Sequence, residues 1–144
     1  MFKKANKDFL IYSNNKKILE LVYKILLFLK KDFFHIFKEI QNKSIYIETL
    51  SKDKIKELKR KYFNLDIYTD TITLVYEDSI FIFICLNVIY NNSKKYGTDY
   101  KQELIRVLIH SLLHAANFPE SNEIIKLQEE MLQDFLKIFL RYYI

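Results

Sequence analysis

Residues 103–120 read ELIRVLIHSLLHAANFPE, and the fold of the whole chain turns on how this stretch is read. Leu104, Val107, Leu108 and Leu112 recur at helical spacing, which predicts a helix over about residues 100–116 with one face turned to a core. Asp99 or Thr98 is placed to cap its start, and Asn117 to Pro119 break its end. His110 and His114 are four residues apart, so on a helix their rings leave the same face. That spacing is how a helix offers two imidazoles to one metal ion, although pairs of this kind also occur on core helices with no ion. The segment after the helix adds weight. Asn117 is, after glycine, the residue best suited to the left-handed conformation that reverses a chain. Pro119 prevents the helix from resuming, and Glu120 then arrives six residues after His114 as a carboxylate ligand. The expected cofactor is one divalent metal ion, Zn2+ by donor type, held by His110, His114 and Glu120.

Working outward, Leu86 to Lys95 is helical in pattern and Tyr96-Gly97 ends that helix. Thr71 to Tyr76 (TITLVY) and Ser79 to Cys85 (SIFIFIC) are β-rich runs parted by Glu77-Asp78. They predict adjacent strands of one sheet with Cys85 buried, the second strand covered on both faces. Ser51 caps a helix running to Tyr62, with Ile55 and Leu58 inward. Ser44 to Thr49 (SIYIET) alternates as a strand does. Residues 16–39 place Ile18, Leu21, Val22, Ile25 and Leu29 at helical spacing, and a last amphipathic helix runs from about Ser121 to Leu140. The order is helix, strand, helix, two strands, three helices. This predicts an α+β fold: a small mixed sheet of about four strands covered by helices, with the metal site on a central helix. No repeat or linker appears, so residues 1–144 read as a single domain.

Composition narrows the function. One glycine excludes the glycine-rich phosphate cradles, and the lone Cys85 excludes a disulfide framework or a cysteine zinc site. The most apolar segment, Ile18 to Phe37, is interrupted by Glu20, Lys24, Lys30, Lys31 and Asp32, short of the ~18–20 apolar residues a bilayer requires. Asp8 and the polar stretch Ser13 to Lys17 leave no signal-peptide core. No membrane partner and a cytoplasmic location are therefore expected. Residues 1–62 carry 16 Lys/Arg against 7 Asp/Glu, and residues 63–144 carry 7 against 11, so a +9 half adjoins a −4 half within the net +5. Such a division suits an anionic polymer as substrate, or reflects solvated helix faces alone. The same choice applies to Lys52, Lys54, Lys56, Lys59, Arg60 and Lys61. Arg106, one turn before His110, reads either as part of the site or as a salt-bridge residue. His35, among Phe33, Phe34 and Phe37, reads as a packing histidine.

The pattern His-x3-His-x2-Asn-x2-Glu has the spacing of the metzincin zinc proteases, which have glycine at the turn and a third histidine at its end. Those enzymes place a glutamate base directly after the first histidine, where this chain has Ser111, so protease chemistry is not expected. Read with their surroundings, these residues resemble the YbeY-type endoribonucleases, the bacterial rRNA maturation factors. That family runs a leucine-rich helix, His-Gly-Leu-Leu-His, a Gly-Tyr-Asp-His turn and an acidic helix, and Glu103 to Glu120 follows it without a gap. Ile84 to Gly97 (ICLNVIYNNSKKYG) matches the preceding helix and its Tyr-Gly end. Leu58 to Leu74 (LKRKYFNLDIYTDTITL) matches an upstream segment at Leu58, Tyr62, Asp66, Thr69 and Asp70. The resemblance spans roughly residues 44–133.

It departs at four places. The family's third histidine is Glu120, the arginine after the tyrosine is Phe63, the Gly-Asp pair opening the third strand is Ile80-Phe81, and the turn's Tyr-Asp is Phe118-Pro119. The resemblance implies a metal-dependent single-strand endoribonuclease of rRNA maturation and ribosome quality control. Its partners would be precursor rRNA and the ribosome, with Lys56, Lys59, Arg60 and Lys61 on the RNA. No catalytic base is evident. Phe63 and Glu120 leave open a non-catalytic RNA- or ribosome-binding derivative, and a metal-dependent hydrolase of another substrate is a third reading.

Overall fold

In Ser44–Thr49 and Ser79–Ile84 isoleucine recurs at every second position from 45 to 47 and from 80 to 84, and all five of these isoleucines are wholly buried. Strands of that pattern must place one face on a core. The computed structural model describes residues 1–143, and side chains as far as residue 139. In chain order its elements are β1 (Phe2–Ala5), β2 (Leu10–Ser13), α1 (Lys16–Asp32), α2 (Phe34–Ile40), β3 (Ser44–Thr49) and α3 (Lys52–Phe63), followed by β4 (Thr71–Val75), β5 (Ser79–Ile84), α4 (Leu86–Tyr96), α5 (Tyr100–Ala115) and α6 (Asn122–Tyr143).

The five strands form one mixed sheet in the order β1-β2-β3-β5-β4. Strand β3 lies parallel between β2 and β5, while β1 and β4 pair antiparallel at the two edges. The expected pairing of residues 71–76 with 79–85 is present, with Thr71 opposite Ile84 and Val75 opposite Ile80. Cys85 is fully buried and leads into α4.

The sheet exceeds the expected strand count because an N-terminal hairpin extends it. Three of the four residues of β1 are exposed, so it carries no alternating apolar signal. Its turn is held by Asn6, whose Oδ1 accepts from the backbone N–H groups of Asp8 and Phe9 at 2.8 and 3.1 Å. The single helix expected over 16–39 is two helices. Phe33 leaves helical geometry at φ −136°, ψ 50°. Its buried ring packs 5.5 Å from Phe28, which in turn meets Phe135 of α6 at 5.5 Å. The break lets Ile36, Phe37 and Ile40 reach the core from a new direction.

Helices α1, α2, α5 and α6 cover the isoleucine face of the sheet in one core, and α5 lies at its centre, touching α1, α2, α4, α6 and β4. On the other face α3 covers a smaller cluster of Ile55, Ile72 and Cys85. Coverage there is incomplete. Tyr12, Tyr46 and Phe81 stack across three strands at 4.9 and 4.8 Å, half-buried. Strand β5 is therefore fully buried on one face only.

Candidate metal centre and its cavity

Helix α5 begins at Asp99, whose carboxylate accepts from the Gln102 N–H at 3.1 Å. Leu104, Ile105, Leu108, Ile109 and Leu112 fill the core, which leaves His110 and His114 half-buried on the flank. The helix stops as its sequence requires. Asn117 is left-handed at φ 68°. Its N–H donates to the His114 carbonyl at 3.0 Å, and the Phe118 N–H reaches back to the Leu113 carbonyl at 3.1 Å. These are the two bonds of a Schellman cap, with the Phe118 ring packed on the core.

The reversal brings Glu120 back over the histidines. Its Oε1 lies 2.6 Å from His114 Nε2 and 3.0 Å from His110 Nε2, and the two Nε2 atoms are 2.9 Å apart. Among the described residues, these three side chains form a group whose ligand atoms converge.

The donor atoms at this point suit a cation. Gln128, buried on α6, has its Oε1 on His110 Nδ1 and its Nε2 directed at Glu129 Oε1, 3.4 Å away. A carboxylate can only accept, so the Gln128 amide faces Glu129 and its oxygen takes the Nδ1–H of His110. In a neutral ring that leaves Nε2 of His110 as a bare lone pair. Partial burial by itself raises the Glu120 carboxyl, but the two histidines beside it, His114 foremost, outweigh it and hold the carboxyl below its ordinary value. Ionised Glu120 is also an acceptor. One N–H on His114 Nε2 satisfies one contact, and lone pairs still oppose each other in the rest. Two imidazole nitrogens and a carboxylate oxygen, open on one side, are the donor set of a catalytic zinc site, so the residues fit a divalent metal.

Behind the ligands runs a chain of hydrogen bonds that sequence reasoning missed. Glu129 accepts from Arg106 Nε at 2.7 Å, and Arg106 Nη1 donates to the buried Glu103 at 2.5 Å. Thr98 Oγ1 completes the chain at Glu103, 3.3 Å away. Both readings of Arg106 thus meet in one place: it is salt-bridged and it lines the site. Gln128 lies 18 residues from His110 on another helix, and no motif marks it.

Ser111, where a protease has its glutamate, is fully buried and turned away from the ligands. Its hydroxyl donates to the Val107 carbonyl at 3.0 Å and meets Thr71 Oγ1 of β4 at 3.1 Å.

The ligands open into a cavity of about 810 Å³ between β4, the end of α3, and helices α5 and α6. Asp70 lines it, and burial raises the Asp70 carboxyl above its usual range, the backbone N–H groups of Thr71 and Asp70 and the charge of His110 opposing. Of the four α3 cations singled out above, Lys59 lines the cavity. Lys56 lies beside Tyr68, its Nζ 5.0 Å from the ring centroid, and Arg60 donates to Asp66 at 3.0 Å. Lys61 is exposed next to Tyr62. His35 is exposed on α2, away from the site.

A family model described as Endoribonuclease YbeY matches residues 3–140. Among curated proteins, the chain is 36% identical over 103 residues to the Endoribonuclease YbeY of Thermosipho melanesiensis, covering 65% of this chain and 75% of that protein. It is 36% identical over 88 residues to that of Thermotoga neapolitana, covering 60% and 59%. Among solved structures, a solution structure of a Thermotoga maritima protein shares the fold at a TM-score of 0.64 and 24% identity, over 92% of this chain and 91% of that one.

Proposed function

Since the chain belongs to the Endoribonuclease YbeY family, we propose that it is a metal-dependent, single-strand endoribonuclease of rRNA maturation and ribosome quality control. The observation that carries this reading is the convergence of His110 Nε2, His114 Nε2 and Glu120 Oε1 within 3.0 Å of one another at the wall of an open cavity. Residues 1–144 act as one domain in this reading, working on precursor rRNA at the ribosome in the cytoplasm. Among the described residues, no helix is long and apolar enough to cross a membrane.

A divalent ion, zinc by donor type, supplies Lewis-acid polarisation of a phosphate diester and lowers the pKa of water. The protein's own part is positional. Gln128 holds His110 in the tautomer that presents Nε2, and the Schellman cap holds Glu120 against both rings. Lys59 faces the cavity, with Lys56, Arg60 and Lys61 on the same helix to place the RNA backbone. Ser111 is turned into the core and contributes no base.

Metal analysis and RNA cleavage test this together. The purified protein should retain about one equivalent of zinc, His114→Ala and Glu120→Ala should lower that content, and Glu120→His should preserve it. Zinc retention indifferent to Glu120→Ala overturns the three-ligand site. Phe63 and Glu120 favour a second reading, a member that binds rRNA or the ribosome without cleaving. Full zinc content with RNA binding and no cleavage selects that reading. Full zinc content with neither points to hydrolysis of another substrate.

A further inference from the structure

Phe63 is the last residue of α3, a helix with Ile55 as its fully buried side chain, and its ring is 46% exposed. It lines the same cavity as His110, His114 and Glu120. Folding therefore leaves a phenyl ring exposed to water in the cavity that the three ligand residues line, where burial alone would not hold it. One turn earlier Lys59 places its Nζ 4.5 Å from the ring centroid, on one side of the ring. The arrangement recurs along the helix. Lys56 lies 5.0 Å from the exposed Tyr68 ring and Lys61 lies 5.4 Å from the exposed Tyr62 ring. Leu65 and Ile67 are exposed in the same stretch, but these rings each stand beside a cation. They combine π faces with positive charge, the two elements by which single-stranded nucleic acid is held.

We propose that Phe63 is a stacking platform for an unpaired nucleobase beside the scissile phosphate, which favours a purine at that position. The inference rests on the RNA-cleaving reading above and names the part of the substrate that its cavity reads. A cavity of about 810 Å³ is within the size range that accepts a nucleotide-sized ligand. In the family pattern this place carries arginine, a side chain able to pair with phosphate in bidentate fashion. A phenyl ring cannot do that. It offers a flat face, with Lys59 on one side to meet the backbone charge. A ring in this place is suited to a base rather than a phosphate. A base inside a duplex cannot present its face, so the same contact excludes paired RNA. Larger, more strongly stacking purines gain more from the ring than pyrimidines do.

The test uses the full-length, zinc-loaded protein with short 2′-O-methyl oligonucleotides, one adenine-rich with a 2-aminopurine and one uridine-rich. Anisotropy reads affinity, 2-aminopurine fluorescence reads stacking, and gels confirm that the oligonucleotides stay intact. The wild type is expected to bind the adenine-rich strand more tightly and to quench the probe. Phe63→Leu keeps apolar bulk without a π face and should lose about five- to a hundred-fold in affinity for the adenine-rich strand, together with the quench. Phe63→Trp should retain both. Phe63→Arg should bind without quenching and with a steeper salt dependence. Zinc content and thermal midpoint serve as controls and should not move in Phe63→Leu. If the wild type binds both strands and Phe63→Leu changes neither affinity nor quench, this inference is wrong and the nuclease reading stands. If the wild type binds neither strand, the RNA reading fails and this inference with it. If Phe63→Leu instead dissolves a dimer, the ring is covered by a second copy and the proposal is overturned.

Discussion

Replacing Gln128 with leucine should weaken zinc binding by about ten- to a hundred-fold, although Gln128 touches no metal. The side chain is 7% exposed and accepts the Nδ1–H of His110 while donating toward Glu129. Leucine has a similar volume and no acceptor. His110 then has two choices. It can keep its proton on Nδ1, buried against an apolar chain, at a cost of about 1–3 kcal/mol for the unsatisfied donor. Otherwise it moves the proton to Nε2, which removes the lone pair that the ion requires. Either way metal binding must reverse the loss, and about 1.4–2.7 kcal/mol is a ten- to hundred-fold change in affinity. Competition against a chromophoric chelator at pH 7 reads it, with circular dichroism and a thermal melt to show that the variant is folded. Gln128→Glu keeps an acceptor for the Nδ1–H but turns its second oxygen on Glu129, whose partner Arg106 is shared with Glu103, so it should recover only part of the affinity. A folded Gln128→Leu that holds zinc as tightly as the wild type would refute the tautomer argument.

Three further outcomes are expected. Changing Lys56, Lys59 and Arg60 together to glutamine should flatten the salt dependence of RNA binding by about 2 in log–log slope, and an unchanged slope would mean that this helix face is merely solvated. Burial raises the Asp70 carboxyl, backbone N–H groups and His110 opposing, so the folded protein favours its protonated form more than the unfolded chain does. The stability this contributes is full below the unfolded value and is lost as pH rises through the folded one. Metal-free Asp70→Asn should therefore be more stable than the wild type in urea at pH 7 and equal to it near pH 3. Greater wild-type stability at pH 7 contradicts the assignment. Asn117 stands at φ 68°. Asn117→Gly should be close to neutral and Asn117→Val should cost about 1–2 kcal/mol, with looser zinc binding because Glu120 follows the same cap. An indifferent valine variant would show that the turn is set elsewhere.

Local physics explains which parts of the fold were readable. Gly97, Asn117 and Ser51 mark their helix ends because left-handed geometry and N-cap acceptors are properties of single residues, and all three do so in the structure. Strands β3 and β5 announced themselves by alternation, since one face of each had to be buried. Strand β1 did not, because an exposed edge strand selects no apolar period. The break at Phe33 was equally silent. The periodicity of residues 16–39 is compatible with one helix, and the break follows from Phe28 and Phe135, the latter a hundred residues away in sequence.

The site divides along the same line. His110, His114 and Glu120 lie within eleven residues, so helix geometry and one left-handed turn suffice to predict that they meet, and their ligand atoms do converge. Everything that tunes them comes from elsewhere in the chain: Gln128 and Glu129 from α6, Asp70 from the start of β4, Phe63 and Lys59 from the end of α3. These residues depend on how α5 sits against α6 and β4, which no spacing rule encodes. Ser111 shows the limit most clearly. By position it occupies the place of a catalytic glutamate, yet it spends its hydroxyl on Val107 and Thr71, joining the helix of His110 and His114 to the sheet edge. A glutamate there would have to bury its carboxylate against β4, so in this chain the packing of α5 on β4 decides against a helix-borne base.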